Sequence, residues 1–211
     1  MKVLITGGSR GIGKAIVDLF IHNGHSVSAP SRSELNLTQP VQLQDCEFDI
    51  VINCAGINPI KRLDSIVDNT VMQVNYLAPL QIVQQCLPYM VSKQYGRIIN
   101  IGSIWINTAK PARLAYSASK NALHALTKAI TAEYGHFNII ANTVSPGFIK
   151  TELTLENNTP KEILNILHNV PASRLGEPAE VAKLVYQLTV ENTFVNGQNI
   201  IIDGGFSCIT Y

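Results

Sequence analysis

The sequence is sparing with charge. Only 15% of its 211 residues are Asp, Glu, Lys or Arg, the formal net charge is +1, and no Lys/Arg run occurs. A nucleic-acid partner therefore has no electrostatic footprint here. Cysteine is equally scarce: Cys46, Cys54, Cys86 and Cys208 stand far apart, with no Cys-x-x-Cys spacing. That pattern suits free thiols in a reducing compartment, not a disulfide frame. The five histidines show no ligand spacing, so no metal site is expected. No apolar run reaches 18 residues, and Met1-Lys2 leads straight into Val3-Leu4-Ile5 without the longer apolar stretch of a signal peptide. The expectation is a cytoplasmic protein with no membrane partner. Repeats, low-complexity tracts and linkers are missing too. With 46% hydrophobic residues, the chain has the length and composition of a single domain over residues 1–211.

What is present is an alternation of strand-like and helix-like stretches. Lys2–Thr6 reads as a buried strand, and Gly7-Gly8-Ser9-Arg10-Gly11-Ile12-Gly13 follows it at once. Ala15, Ile16, Leu19 and Phe20 then recur at helical spacing until Asn23-Gly24, a helix stop. A strand, a glycine-rich turn and a helix start make a phosphate cradle. Glycines permit close backbone approach, and the helix N-terminus offers free N–H groups. Gly7, Ser9, Arg10, Gly11, Ile12 and Gly13 are its candidate contacts. Further strands are expected at 25–30, 49–55, 97–103, 138–144 and 199–203. Helices are expected over 64–93, with bends or a late break at Pro79 and Pro88, and from near Tyr116 to Gly135, with another over 178–189. A polar, then helical stretch from Thr151 to Val170 reads as a lid. This order predicts an α/β, Rossmann-like, doubly wound parallel sheet. Only 18 residues separate Pro30 from Asp49, too few for a helix, a strand and a second helix. Six strands are expected, or a seventh reduced to a vestigial edge near Glu34–Leu37.

The chemistry concentrates between Ile98 and Lys120. An apolar run ends in Ser103, and thirteen residues later Tyr116 and Lys120 stand four apart, on one face of a helix. A hydroxyl, a phenol and an ammonium near a strand's carboxyl end suit reduction of a carbonyl. The serine holds the substrate oxygen, the tyrosine donates the proton, and the lysine lowers the phenol's pKa from about 10.

These motifs together resemble the short-chain dehydrogenase/reductase family over essentially the whole chain. The matching residues are Thr6-Gly7-x-x-x-Gly11-x-Gly13, Asn53-x-Ala55-Gly56, Asn75, Ser103, Tyr116-x-x-x-Lys120, and Pro146-Gly147 followed by Thr151. The resemblance implies hydride transfer between a nicotinamide and a carbonyl carbon, with Tyr116 as general acid. It makes Lys120 the partner of Tyr116 and of the nicotinamide ribose. It implies that Ser103 orients the carbonyl and that Asn75 holds a proton-relaying water. Asn53, Ala55 and Gly56 would border the adenosine ribose and steady the central strands, while Pro146, Gly147, Ile149 and Thr151 would cradle the nicotinamide. The family's usual order of seven strands makes the missing third an edge strand, which can be lost without breaking interior ladders.

Within the family the chain is most similar to 3-oxoacyl-[acyl-carrier-protein] reductases, through Gly96–Ser103, Ser145–Ile149 and Val170–Pro178. A small-molecule or carrier-protein-bound acyl substrate is implied. So is a homodimer or homotetramer that pairs the two long helices through residues such as Met72, Leu80, Ala122 and Ala129. The chain departs from the pattern at Cys54, where a second Asn is usual, and at Ile106, where a small residue is common. Gln94 and Phe137 stand where carrier-docking members have basic residues, with Lys93, Arg97, Lys110 and Arg113 as candidate substitutes. Other readings are a different small ketone, alcohol or sugar-derived substrate, or a non-catalytic dinucleotide-binding regulator.

The cofactor follows from the residues themselves. NAD enzymes of this fold carry Asp or Glu at the end of strand 2. Here that place reads Ala29-Pro30-Ser31-Arg32, with Arg10 facing it from the glycine turn. Two guanidinium groups and the Ser31 hydroxyl suit the extra phosphate of NADPH/NADP+.

Overall fold

The computed structural model describes residues 1–64 and 69–208. Six strands form one parallel sheet: β1 (Lys2–Thr6), β2 (Ser26–Ser28), β3 (Ile50–Asn53), β4 (Gly96–Ile101), β5 (Ile139–Pro146) and β6 (Asn199–Ile202). Their order is β2-β1-β3-β4-β5-β6, and every pairing is parallel. This is the six-stranded sheet expected from the short 30–49 interval. Residues 31–40 form turns, with no vestigial strand at Glu34–Leu37.

Alternation along the strands sorts the core into two layers. Leu4, Val51, Ile98, Ile139 and Ala141 face α3 (Ala78–Lys93) and α4 (Leu114–Tyr134). Val3, Ile5, Ile52, Ile99, Ile101 and Val144 face α1 (Gly11–His22) and the helix at Pro178–Tyr186. Strand order reverses at β1 and β3, which opens a crevice at the carboxyl ends of the strands. Across it, Thr6 Oγ1 accepts from the backbone N–H groups of Cys54 and Ala55, each at 3.2 Å. No helix of the described residues is long and apolar enough to cross a membrane.

The long helix expected over 64–93 is more articulated than its periodicity suggests. Its part at 65–68 lies outside the described residues, and among the described residues helix runs from α2 (Thr70–Met72). One wide π-turn (Gln73–Leu77) intervenes before α3. Pro79 follows directly on the π-turn, as the second residue of α3. Pro88 lies on an exposed face inside it, and the helix runs on to Lys93 without the late break. Of the residues expected at an interface between copies, Met72, Leu80 and Ala122 are half-buried and Ala129 is exposed.

The shortened edge is held by side chains instead of a ladder. Val41, Leu35, Leu37 and Leu43 pack onto the α3 side of the core. Gln81 Oε1 accepts from Val41 N at 2.8 Å, and Gln85 Oε1 accepts from Leu43 N at 2.9 Å. Gln85 Nε2 also donates to the carbonyl of Val41 at 3.0 Å. Two helix glutamines thus satisfy backbone groups that a strand would have paired. Gln85→Leu keeps the bulk and strands those groups, so stability should fall by about 1–3 kcal/mol in urea denaturation. An unchanged midpoint would show that the glutamine clamp carries no weight.

Candidate active site

At the glycine turn the backbone approaches itself as only glycine allows. A Cβ on Gly13 would lie 2.0 Å from the carbonyl oxygen of Gly7. A Cβ on Gly7, whose φ is +73°, would lie 2.7 Å from the Cα of Ala55. Arg10 begins α1 in an extended conformation and offers no side-chain cap, so the helix's first N–H groups stay available. These groups fit a dinucleotide's pyrophosphate.

A cleft of about 450 Å³ runs from this turn to the end of β4. Of the residues expected to hold a cofactor, Gly7, Ser9, Arg10, Gly11, Ile12, Gly13, Ser31, Arg32, Ala55, Gly56, Pro146, Gly147, Ile149 and Thr151 all border it. So do Ser103, Tyr116 and Lys120. Asn53 does not: it is buried in β3, and its Nδ2 donates to Asn100 Oδ1 at 2.9 Å. Its place is in the sheet, which corrects the ribose-side part of its expected role. At the adenosine end, Glu34 leaves the cleft wall because its Oε2 accepts from Ser31 N at 2.8 Å. Arg10 lies 3.6 Å from Glu156 in an exposed ion pair.

Asn75 is buried behind the cleft, within the π-turn, and does not border it. Its Oδ1 accepts from Ile57 N at 2.9 Å, and its Nδ2 donates to Ile57 O and to Ser119 Oγ, each at 3.0 Å. The amide therefore braces the loop after Gly56 against α4. A Cβ on Gly56 would sit 3.4 Å from Asn75 Oδ1 and 3.5 Å from Lys120 Nζ, so both groups converge there.

Lys120 is 3% exposed, and its Nζ donates to the carbonyl of Ile101 at 2.7 Å. Burial lowers its pKa to about 8. The Tyr116 phenol is pushed above its ordinary value by burial, with a hydrogen bond from Ser103 and the charge of Arg113 pulling the other way. Lys120 Nζ lies 5.6 Å from the centroid of the Tyr116 ring. Cys54, beside Lys120, is pushed up to about 11 by burial and stays a neutral thiol.

Sequence reasoning missed part of the wall. Trp105 and Phe148 border the cleft and meet Phe206 edge-to-face, with centroids 5.2–6.3 Å apart. Ile106, expected to thicken the wall, packs behind it: its Cδ1 would lie 2.9 Å from a Cβ on Gly102. Arg113, expected only as a docking cation, stands at the N-cap of α4, three residues before Tyr116, and borders the cleft.

A family model described as enoyl-(acyl carrier protein) reductase matches residues 36–207. The 3-oxoacyl-[acyl-carrier-protein] reductase FabG of Vibrio cholerae is 31% identical, covering 98% of this chain and 97% of that protein. The ligand-free aldohexose dehydrogenase of Thermoplasma acidophilum superposes with a TM-score of 0.89 at 27% identity, over 99% of this chain and 94% of that one. Gluconate 5-dehydrogenase from Burkholderia cenocepacia, in complex with NADP and tartrate, superposes with a TM-score of 0.87 at 25% identity, over 99% and 96%.

The buried ammonium has a thermodynamic signature. The pKa of Lys120 falls from 10.5 to about 8 on folding. Between those values the unfolded chain holds the extra proton, so stability rises with pH. Against a Lys120→Met variant, the cofactor-free protein should gain about 3 kcal/mol from pH 8 to pH 10.5. Denaturant titrations of both forms across that range read the difference. Parallel profiles would mean that Lys120 keeps an ordinary pKa.

Proposed function

Because this chain belongs to the short-chain dehydrogenase/reductase family and is an oxidoreductase, we propose that it is an NADPH-dependent reductase of 3-oxoacyl compounds, yielding the 3-hydroxyacyl product. The observation that carries this reading is the convergence of Ser103, Tyr116 and Lys120 at one end of a cleft whose other end is a glycine cradle. A nicotinamide dinucleotide, which the glycine cradle and the Pro146–Thr151 wall would hold, would supply hydride-transfer chemistry to a carbonyl carbon. The chain's own residues do the rest. Gly7, Gly11 and Gly13 let the backbone reach the pyrophosphate, while Pro146, Gly147, Ile149 and Thr151 form the wall for the nicotinamide. Ser103 Oγ and the Tyr116 phenol bracket the carbonyl oxygen. Burial keeps Tyr116 protonated at neutral pH, so it can deliver its proton as the oxygen gains charge. Lys120 stands ready for the ribose hydroxyls, and Asn75 for a water between it and solvent.

The 3-oxoacyl assignment draws on the similarity to FabG. A free small molecule fits better than a carrier-bound one, because the cations that could dock an acidic carrier are otherwise engaged. Lys93 pairs with Asp49 at 2.9 Å, and Arg97 is buried with its Nη1 donating to the carbonyls of Gly96 and Asn138. Lys110 and Arg113 face the cleft.

Tyr116→Phe removes the proton donor and keeps the ring. Turnover of NADPH with 3-oxo substrates should fall at least ~10²-fold, with cofactor binding retained. A panel of acetoacetyl thioester, simple ketones and sugar alcohols, followed by NADPH absorbance, reads it. Near-full activity in this variant would sink the mechanism.

NADPH preference rests on Arg32, Ser31 and Arg10, which border the adenosine end of the cleft. A charged hydrogen bond is worth roughly 1.5–3 kcal/mol, so Arg32→Ala should weaken NADPH binding about 10- to 150-fold. The kcat/KM ratio for NADPH over NADH should drop accordingly. A wild-type preference for NADH would overturn the assignment.

A further inference from the structure

We infer that Arg113 is an anchor for a substrate carboxylate, so that the carbonyl compound reduced in this cleft is an oxo acid held by its anionic end. The inference rests on the reductase reading above and narrows its substrate class.

Arg113 is 5% exposed, and its Nη1 is enclosed without a hydrogen-bond partner. No hydrogen bond or ion pair engages its side chain among the described residues. Arg97 is buried to the same degree and is treated differently: its Nη1 meets two carbonyls, and its guanidinium lies 4.3 Å from the Tyr95 ring centroid. A buried guanidinium without partners is costly, and folded proteins accept one mainly where a ligand completes it. Arg113 borders the cleft together with Ser103, Trp105 and Tyr116. It stands at the N-cap of the helix that carries Tyr116, three residues before it.

The surroundings leave it for an incoming anion. Among the described residues, the one acidic side chain on the cleft wall is Glu152. That carboxylate belongs to the cofactor end, with its Oε2 3.7 Å from where a Cβ of Gly11 would lie. Lys110 borders the cleft three residues before Arg113 and adds a second positive charge. The planar fork of an arginine matches a carboxylate with two parallel bonds, whereas a neutral ester or thioester offers no such partner. Trp105 and Phe148 then leave an apolar wall for a short remainder of the molecule.

Acetoacetate and methyl acetoacetate present the same ketone with and without the charge. In the wild type, kcat/KM with NADPH should favour the acid. In Arg113→Gln the acid-to-ester ratio should fall about 10- to 150-fold, and Arg113→Lys should restore part of it. A wild type that prefers the ester, or a ratio unmoved by Arg113→Gln while both rates fall, would overturn the inference and leave Arg113 as a tuner of Tyr116 only. Titration of 3-hydroxybutyrate and its methyl ester into the NADP+-loaded protein reads the same discrimination without turnover. Should no carbonyl compound oxidise NADPH, the reductase reading fails. The titration still decides on Arg113: equal affinities for acid and ester, or no loss for the acid in Arg113→Gln, count against the anchor.

Discussion

The rotation of α4 against the sheet is the constraint on which the cleft depends, and a row of buried polar side chains sets it. Asn53 on β3 donates to Asn100 on β4, and Asn100 Nδ2 donates to Thr127 on α4 at 2.9 Å. Thr127 Oγ1 meets Thr143 on β5 at 2.8 Å. All four residues are buried, so each bond forms where water cannot replace it. The row crosses three strands and catches the helix at one residue. Lys120 is seven residues before Thr127 and lies on the same face. Its ammonium is thereby aimed at the carbonyl of Ile101, and Tyr116, one turn earlier, at Ser103. A second tie, from Asn75 to Ser119 Oγ, fixes the same helix from its other flank.

That placement has an electrostatic consequence. An ammonium held by one carbonyl in a dry site cannot keep its solution pKa, and Lys120 falls to about 8. Cys54, the neighbour that could have paired with it, remains a neutral thiol for the same reason. The phenol of Tyr116 is pushed up by burial, as a proton donor needs. Its counterweights are Ser103 and Arg113. The proton donor is thus flanked in the chain by two cations, Arg113 three residues before Tyr116 and Lys120 four after.

How far the sequence carries such a reading depends on which interactions are local. The glycine turn, the strand ends and the Tyr116–Lys120 spacing are short-range patterns, and all border the cleft as expected. The six-stranded sheet followed from counting residues between Pro30 and Asp49. The bond from Asn53 to Asn100 is not legible in the sequence, because the two stand 47 residues apart. A motif says that Lys120 is near Tyr116, but not that its ammonium donates to a backbone carbonyl. Trp105, Phe148 and Phe206 meet only in the folded chain. The wide turn at Asn75 was equally hidden, since the apolar spacing of a π-turn differs from a helix by one residue.

The lost edge strand bears on the cleft as well as on the sheet. Residues 31–49 run without helix or strand, and Leu35, Asn36, Leu37 and Thr38 border the adenosine end. Gln81 and Gln85 hold the following residues to α3, so the segment is anchored from the helix and not from β2. Ser31 and Arg32 lie where that segment leaves β2. The Glu34 carboxylate is drawn back to Ser31 N, because a turn this tight needs a cap on its first amide. Arg32 thus borders the cleft and Glu34 does not.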